Sequence, residues 1–149
     1  MPAEGWQGSP GSLIPADRSA LDGITRCLRT SPDPPTGTPE ACVADWDAVA
    51  YTHTAPHCLR RLDEAKVYPR DVRGEVHADG EIWSRALWDI RAALGDRRAT
   101  TAIVEAQFAF ARDTTFRDAA LATVAAVQRL HGASAAAATR AAFEARGIR

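Results

Sequence analysis

The sequence predicts a mainly α fold, about four packed helices following an irregular N-terminal region. Three observations carry this. Apolar residues recur at three- and four-residue spacing from Gly80 onward. Glycines interrupt that period at Gly95, Gly132 and Gly147, where helices end. Alanine, the best helix former, fills many of the positions between. Residues 1–40 read differently. They are rich in Gly, Pro, Ser and Asp, and the run Ser31-Pro32-Asp33-Pro34-Pro35 excludes a helix or central strand, because each proline lacks an amide donor and fixes φ. The division expected is therefore residues 1–40, loop-rich, and residues 41–149, a helical lobe.

Within the first part, Ser19 to Arg29 can form a short helix with Leu21, Ile24 and Leu28 at helical spacing. Residues 40–70 read as an irregular, partly buried loop with a helical piece around Val43 to Val49, where Trp46 and Tyr51 are expected to pack. The first long helix is expected over Gly80 to Leu94. Ile82, Trp83, Ala86, Leu87, Ile90, Ala93 and Leu94 share one face; Glu81, Arg85 and Asp89 form a charge ladder on the other. Asp79 is placed to cap its start and Gly95 to end it. Asp96 then caps a second helix, Arg97 to Ala111, burying Ile103, Val104, Phe108 and Phe110. Asp113 or Thr114 opens a third, Thr115 to His131, with Phe116, Ala120, Val124 and Val127 along one stripe. Ser134 caps a fourth, alanine-rich helix whose one large anchor is Phe143. Short connections predict antiparallel neighbours.

Charge and composition exclude several classes. The net charge is -1, so there is no nucleic-acid footprint and no polybasic membrane patch. No apolar run approaches the roughly 20 residues that span a bilayer. The opening Met1-Pro2-Ala3-Glu4-Gly5-Trp6 has neither a basic patch nor an apolar core, so it does not read as a secretory signal. There are 3 cysteines, Cys27, Cys42 and Cys58, so complete pairing within the chain is impossible. They are either reduced thiols or one bridge and one leftover. Joining Cys42 to Cys58 closes a short ring, an effect of ~3 kcal/mol by chain entropy.

The residue most suited to chemistry is His77, in Gly74-Glu75-Val76-His77-Ala78-Asp79-Gly80-Glu81-Ile82-Trp83. The partial positive charge of a helix N-terminus disfavours imidazolium and favours a neutral ring that donates one hydrogen bond. Such a donor can stabilise an oxyanion. The alternative is a polar residue that meets solvent. His53, His57 and Cys58 form a second cluster, but Pro56 interrupts the helix that would present both imidazoles to one metal. No HExxH motif occurs.

The segment Gly74 to Leu94 closely resembles the corresponding stretch of fungalysin-type zinc metallopeptidases, relatives of thermolysin. So do Cys58-Leu59-Arg60-Arg61-Leu62-Asp63, Tyr68-Pro69, residues 106–125 and Ala145-Arg146-Gly147. The resemblance covers residues 41–149 and fades over residues 1–40. It implies the helical C-terminal lobe of a thermolysin-like (gluzincin) peptidase, a fragment of a secreted zinc metalloendopeptidase. In such an enzyme zinc polarises the scissile carbonyl, a glutamate-activated water attacks, and His77 stabilises the tetrahedral oxyanion. Asp71, Glu75 and Asp79 are candidates to orient His77; where the family has its orienting aspartate, this chain has Val72. Glu4-Gly5-Trp6 looks like the context of the family's third zinc ligand, which would make Glu4 a metal ligand, although Gln7 and Gly8 depart from the pattern. The resemblance also favours a Cys42–Cys58 disulfide and an extracellular parent protein whose signal lies upstream.

Without HExxH, zinc is expected to belong to the parent family and not to be held stably by this chain alone. The implied partners are a peptide or protein substrate and a missing zinc-binding lobe. A half that docks onto such a lobe should expose an apolar face on the Trp83 helix. The alternative is a non-catalytic helical interaction module derived from a peptidase lobe.

Overall fold

The computed structural model describes Gly37, residues 39–53, Ala55 and residues 57–149. The expectations for Glu4, Cys27 and the Ser19–Arg29 helix lie outside the described residues. A 3-10 turn at Pro39–Ala41 leads into β1 (Cys42–Val43), α1 (Asp45–Ala48) and β2 (Arg60–Arg61). Four longer helices follow: α2 (Val76–Leu94), α3 (Asp96–Gln107), α4 (Phe116–His131) and α5 (Ala133–Ala145). The fold is mainly α, as the periodicity predicts. β1 and β2 pair antiparallel, Cys42 opposite Arg61 and Val43 opposite Arg60. No described helix is long and apolar enough to cross a membrane.

Helix α2 starts one turn earlier than Gly80, and Asp79 is not its cap. Glu75 is: its carboxylate accepts from the backbone N–H of His77 at 3.0 Å and of Ala78 at 2.8 Å. Asp79 instead reaches back and accepts from the backbone of Arg73 and Gly74, fixing the approach of the chain. Thr115, one residue beyond the expected Asp113 or Thr114, caps α4 through a reciprocal box with Asp118. Gly95 and Gly132, at φ 79° and 85°, each serve as the single residue between two helices. That leaves Asp96 inside the first turn of α3 and Ser134 inside α5, neither acting as a cap.

α2 packs on α3 and α5, and α4 packs on the same two, so the four close into a ring. The core is small-residue packing around a few large anchors: Ile82, Ile90, Val124, Val127, Phe143 and Ile148, set among buried alanines of every helix. This corrects the expected face of α3. Ala99, Ala102 and Ala106 are buried, while Val104 is 50% and Phe108 85% exposed. Helices that approach closely have no room for Phe, so the alanine side faces inward. Above the aliphatic core Trp83 stacks on Phe143 (centroids 5.1 Å apart) and Phe116 (5.9 Å) and meets Phe110 edge-on (6.5 Å).

Residues 62–75 form the connector between β2 and α2, and the C-terminal turn ties it to this bundle. Tyr68 donates its N–H to the Arg146 carbonyl at 2.9 Å, and the Tyr68-Pro69 peptide is cis. Gly147 has φ 74°, and a Cβ there would run into the Tyr68 carbonyl. Gly147→Ala therefore combines left-handed strain with a backbone collision. The expected loss is about 2–4 kcal/mol, read as a fall in urea midpoint at constant m; an unchanged midpoint would mean this contact does not close the lobe.

Candidate functional site

Capping by Glu75 places His77 in the first turn of α2, with its side chain exposed. Its backbone is engaged; its ring hydrogen-bonds no described residue. None of the three candidate orienting carboxylates meets the ring. Glu75 is spent on the helix cap. Asp71 accepts from the Val67 backbone at 2.7 Å and from Arg70 at 2.8 Å. Asp79 holds the Arg73–Gly74 backbone. Glu75 and Asp79 shape the entry to α2, Asp71 closes the Val67–Asp71 turn before it, and none of the three bonds the imidazole.

The second candidate region is the ring closed by Cys42 and Cys58, whose sulfurs are bonded. Thr52 Oγ1 lies 2.8 Å from His57 Nδ1, which ties the far side of the ring to the bridge. His53 is exposed and has no such tie. Among the described residues no group of three or more His, Cys, Asp or Glu side chains is arranged to hold a metal. Trp46 and Tyr51, expected to pack, do not: they are 78% and 70% exposed, with Val49 beside them. Among the described residues of the ring the only fully buried apolar anchor is Ala48, and one turn of helix cannot bury two large rings as well. A cavity of about 420 Å³ opens beneath this apex, lined by Pro39, Trp46, Val49, His57 and Arg61.

Between these two regions lies a polar network that periodicity alone does not reveal. Arg85 is buried at 0% exposure, not on the outward ladder expected for it. It donates to the Asp63 carbonyl at 2.6 Å and to Asp89 at 3.1 Å. Arg146 donates to the other Asp89 oxygen at 2.6 Å. Asp63, 2% exposed, receives Arg61 through two bonds of 2.7 Å and the Gly37 N–H at 2.6 Å. Lys66 pairs with Glu81 on the same side. Arg61 is thus committed to Asp63, and Arg60 lies in the strand pair. The network joins the disulfide loop, the connector and α2 into one frame.

Against family models, curated proteins and solved structures, the chain matches none.

What the arrangement can do chemically follows from its groups. His77 can donate to or accept from an approaching group, but among the described residues it belongs to no cluster of metal-ligating side chains and its ring meets no orienting carboxylate. The Trp46 apex offers exposed apolar surface beside a cavity. A signal for it is in the sequence: an arginine-rich chain has no Lys or Arg anywhere between Arg29 and Arg60, while Asp45, Trp46, Asp47 and Tyr51 crowd into that stretch.

Several carboxyls are held below their ordinary values. For Asp63 the main cause is the hydrogen bond from Arg61, with the Gly37 N–H adding to it against the cost of burial. Arg70 lowers Asp71, the His77 and Ala78 amides lower Glu75, and the Thr115 hydroxyl lowers Asp118. A depressed folded value means stability that is full above the unfolded range of roughly 3.9–4.3 and is lost as pH falls through the lower folded values. The melting temperature is expected to stay level from neutral pH to about 5 and to fall below about 4. Asp63→Asn should flatten that acid limb, and an acid limb of unchanged slope in that variant would assign it elsewhere.

Proposed function

We propose that this chain is a non-catalytic helical interaction module, built on a lobe of the thermolysin-like kind, that binds protein segments. One observation carries the reading. The apolar face of the Trp83 helix is occupied by the lobe's own residues: Ile82, Ala86 and Ile90 are buried, and Trp83 stacks on Phe143 and Phe116. A half-domain waiting for a second lobe would need that face open. The apolar groups left outside include Trp46, Val49 and Tyr51, gathered on a loop that a disulfide and the buried Asp63–Arg61 pair hold in shape. Large side chains on a constrained loop lose little conformational entropy on binding, which favours recognition.

The test is panning of a random peptide library on the immobilised chain. Recovered peptides should lose binding to Trp46→Ala and keep it with His77→Ala. Zinc uptake with His77-dependent peptide hydrolysis by the chain alone would overturn the reading.

A second reading keeps the fungalysin-type peptidase lobe, with zinc and HExxH on a separate polypeptide. Its support is the exposed, uncommitted His77 ring at the N-terminus of α2. The Cys42–Cys58 bridge fits an extracellular setting for either reading. Mixing the chain with an HExxH-bearing lobe should then yield hydrolysis that His77→Ala abolishes.

A further inference from the structure

We infer that the Trp46 apex takes a basic, apolar peptide segment, with a cationic side chain laid against the aromatic rings and a neighbouring apolar one in the cavity beneath. The inference rests on the interaction-module reading and names its partner. The apex presents Trp46, Val49 and Tyr51 to solvent. Trp46 and Val49 are three residues apart, from α1 to the residue that caps its C-terminal end, which places both on one side of it. The cavity of about 420 Å³ between Val49, Pro39 and Trp46 has room for an inserted side chain.

Charge chooses the occupant. Asp45 lines the cavity beside Trp46, Asp47 follows it in α1, and no described residue forms an ion pair with either. Between Gly37 and Leu59 there is no Lys or Arg at all. Among the described residues of the cavity wall the cation is Arg61, and its charge is matched by the bidentate Asp63 carboxylate. Among the described residues the charge at the apex is therefore negative, and the exposed contact surface is aromatic and aliphatic. A guanidinium satisfies both at once, since it stacks on Trp or Tyr faces and pairs with carboxylates at its edge. An acidic segment, a nucleic-acid backbone or an anionic lipid surface meets like charge there and is disfavoured.

The experiment uses the full, disulfide-bonded chain labelled with ¹⁵N and follows the Trp46 indole N–H. The probes are short synthetic peptides alternating leucine with arginine, with citrulline or with glutamate. Citrulline keeps the planar shape of arginine and removes its charge. The arginine peptide should shift the Trp46 signal saturably, weaken with added salt, and bind at least ~10-fold less tightly to Trp46→Ala and to the double variant Asp45→Asn, Asp47→Asn. The citrulline peptide should bind at least ~10-fold more weakly than the arginine one, and the glutamate peptide should leave the signal in place. Equal binding of arginine and citrulline peptides at Trp46 overturns the cationic partner and leaves the module reading standing. Failure of the arginine peptide to shift Trp46 also overturns it; the library selection then decides the module reading separately. Because Trp46 and the two aspartates lie outside the core, loss of binding in these variants is not loss of fold.

Discussion

Arg85→Ala is expected to lower the unfolding free energy by about 3–5 kcal/mol, the range for breaking a buried charged network by removing one partner. The side chain is the largest of the fully buried ones among the described residues. Its removal strands the Asp63 carbonyl, leaves one Asp89 oxygen without its donor, and opens a void beside α2. Arg146 continues to hold the other Asp89 oxygen at 2.6 Å, so the charge itself is not fully orphaned. Arg85→Met separates the causes, since it refills much of the volume without the hydrogen bonds. It should recover only part of the loss, because an unsatisfied buried acceptor costs about 1–3 kcal/mol on its own. Urea unfolding followed by circular dichroism measures both. Near-neutral values for both variants would mean the connector is not held to the bundle through this residue.

Trp83→Ala should cost a similar amount, about 3–5 kcal/mol. Trp83 is the hub of the aromatic cluster, and its ring partners come from three places along the chain: Phe110, edge-on, after α3, and Phe116 at the start of α4 and Phe143 in α5, both stacked. Trp83 is half-buried, and truncation removes three ring contacts and opens a gap between α2, α4 and α5. Near-UV circular dichroism should lose the cluster's signal while the helical signal persists below the transition. Trp46→Ala is the control. With that ring in solvent, its effect on stability should stay within about 0.5 kcal/mol. A comparable loss from the two tryptophans would contradict the placement of one inside and one outside.

The long helices were legible because their punctuation is local. Gly95, Gly132 and the apolar period of Ile82, Ala86 and Ile90 each act within a turn or two of chain. Three features were not legible, for different reasons. Arg85 sits at a position that periodicity assigns to a solvated ladder. Its burial depends on a carbonyl at Asp63 and on Arg146, which reaches the same Asp89 from a distant part of the chain. Phe108 outranks Ala106 on any hydrophobicity scale, yet the inward side of α3 is set by how closely the helices approach, a property of the assembled bundle. Trp46 and Tyr51 are aromatic and were expected inside, but a four-residue helix beside Ala48 has no interior to offer them. The candidate site was legible in its residue types and not in its geometry. His77 does stand at a helix entrance, while Glu75 and Asp79 serve the backbone there and Asp71 is taken by Val67 and Arg70.

The single-glycine junctions at Gly95 and Gly132 also govern how such a chain can diverge. Each residue added to or removed from a helix end turns the following side chains by about 100°. With only one residue between α2 and α3, and one between α4 and α5, there is no slack to absorb the turn. A one-residue deletion at Gly95 would swing Ala99, Ala102 and Ala106 off the packing face and bring bulkier neighbours inward. Insertions and deletions should therefore be excluded from the two helical pairs and collect in the connector before α2 and in residues 108–115, where the chain runs outside any helix. The lobe can vary its surface freely, but its spacing is written into two residues.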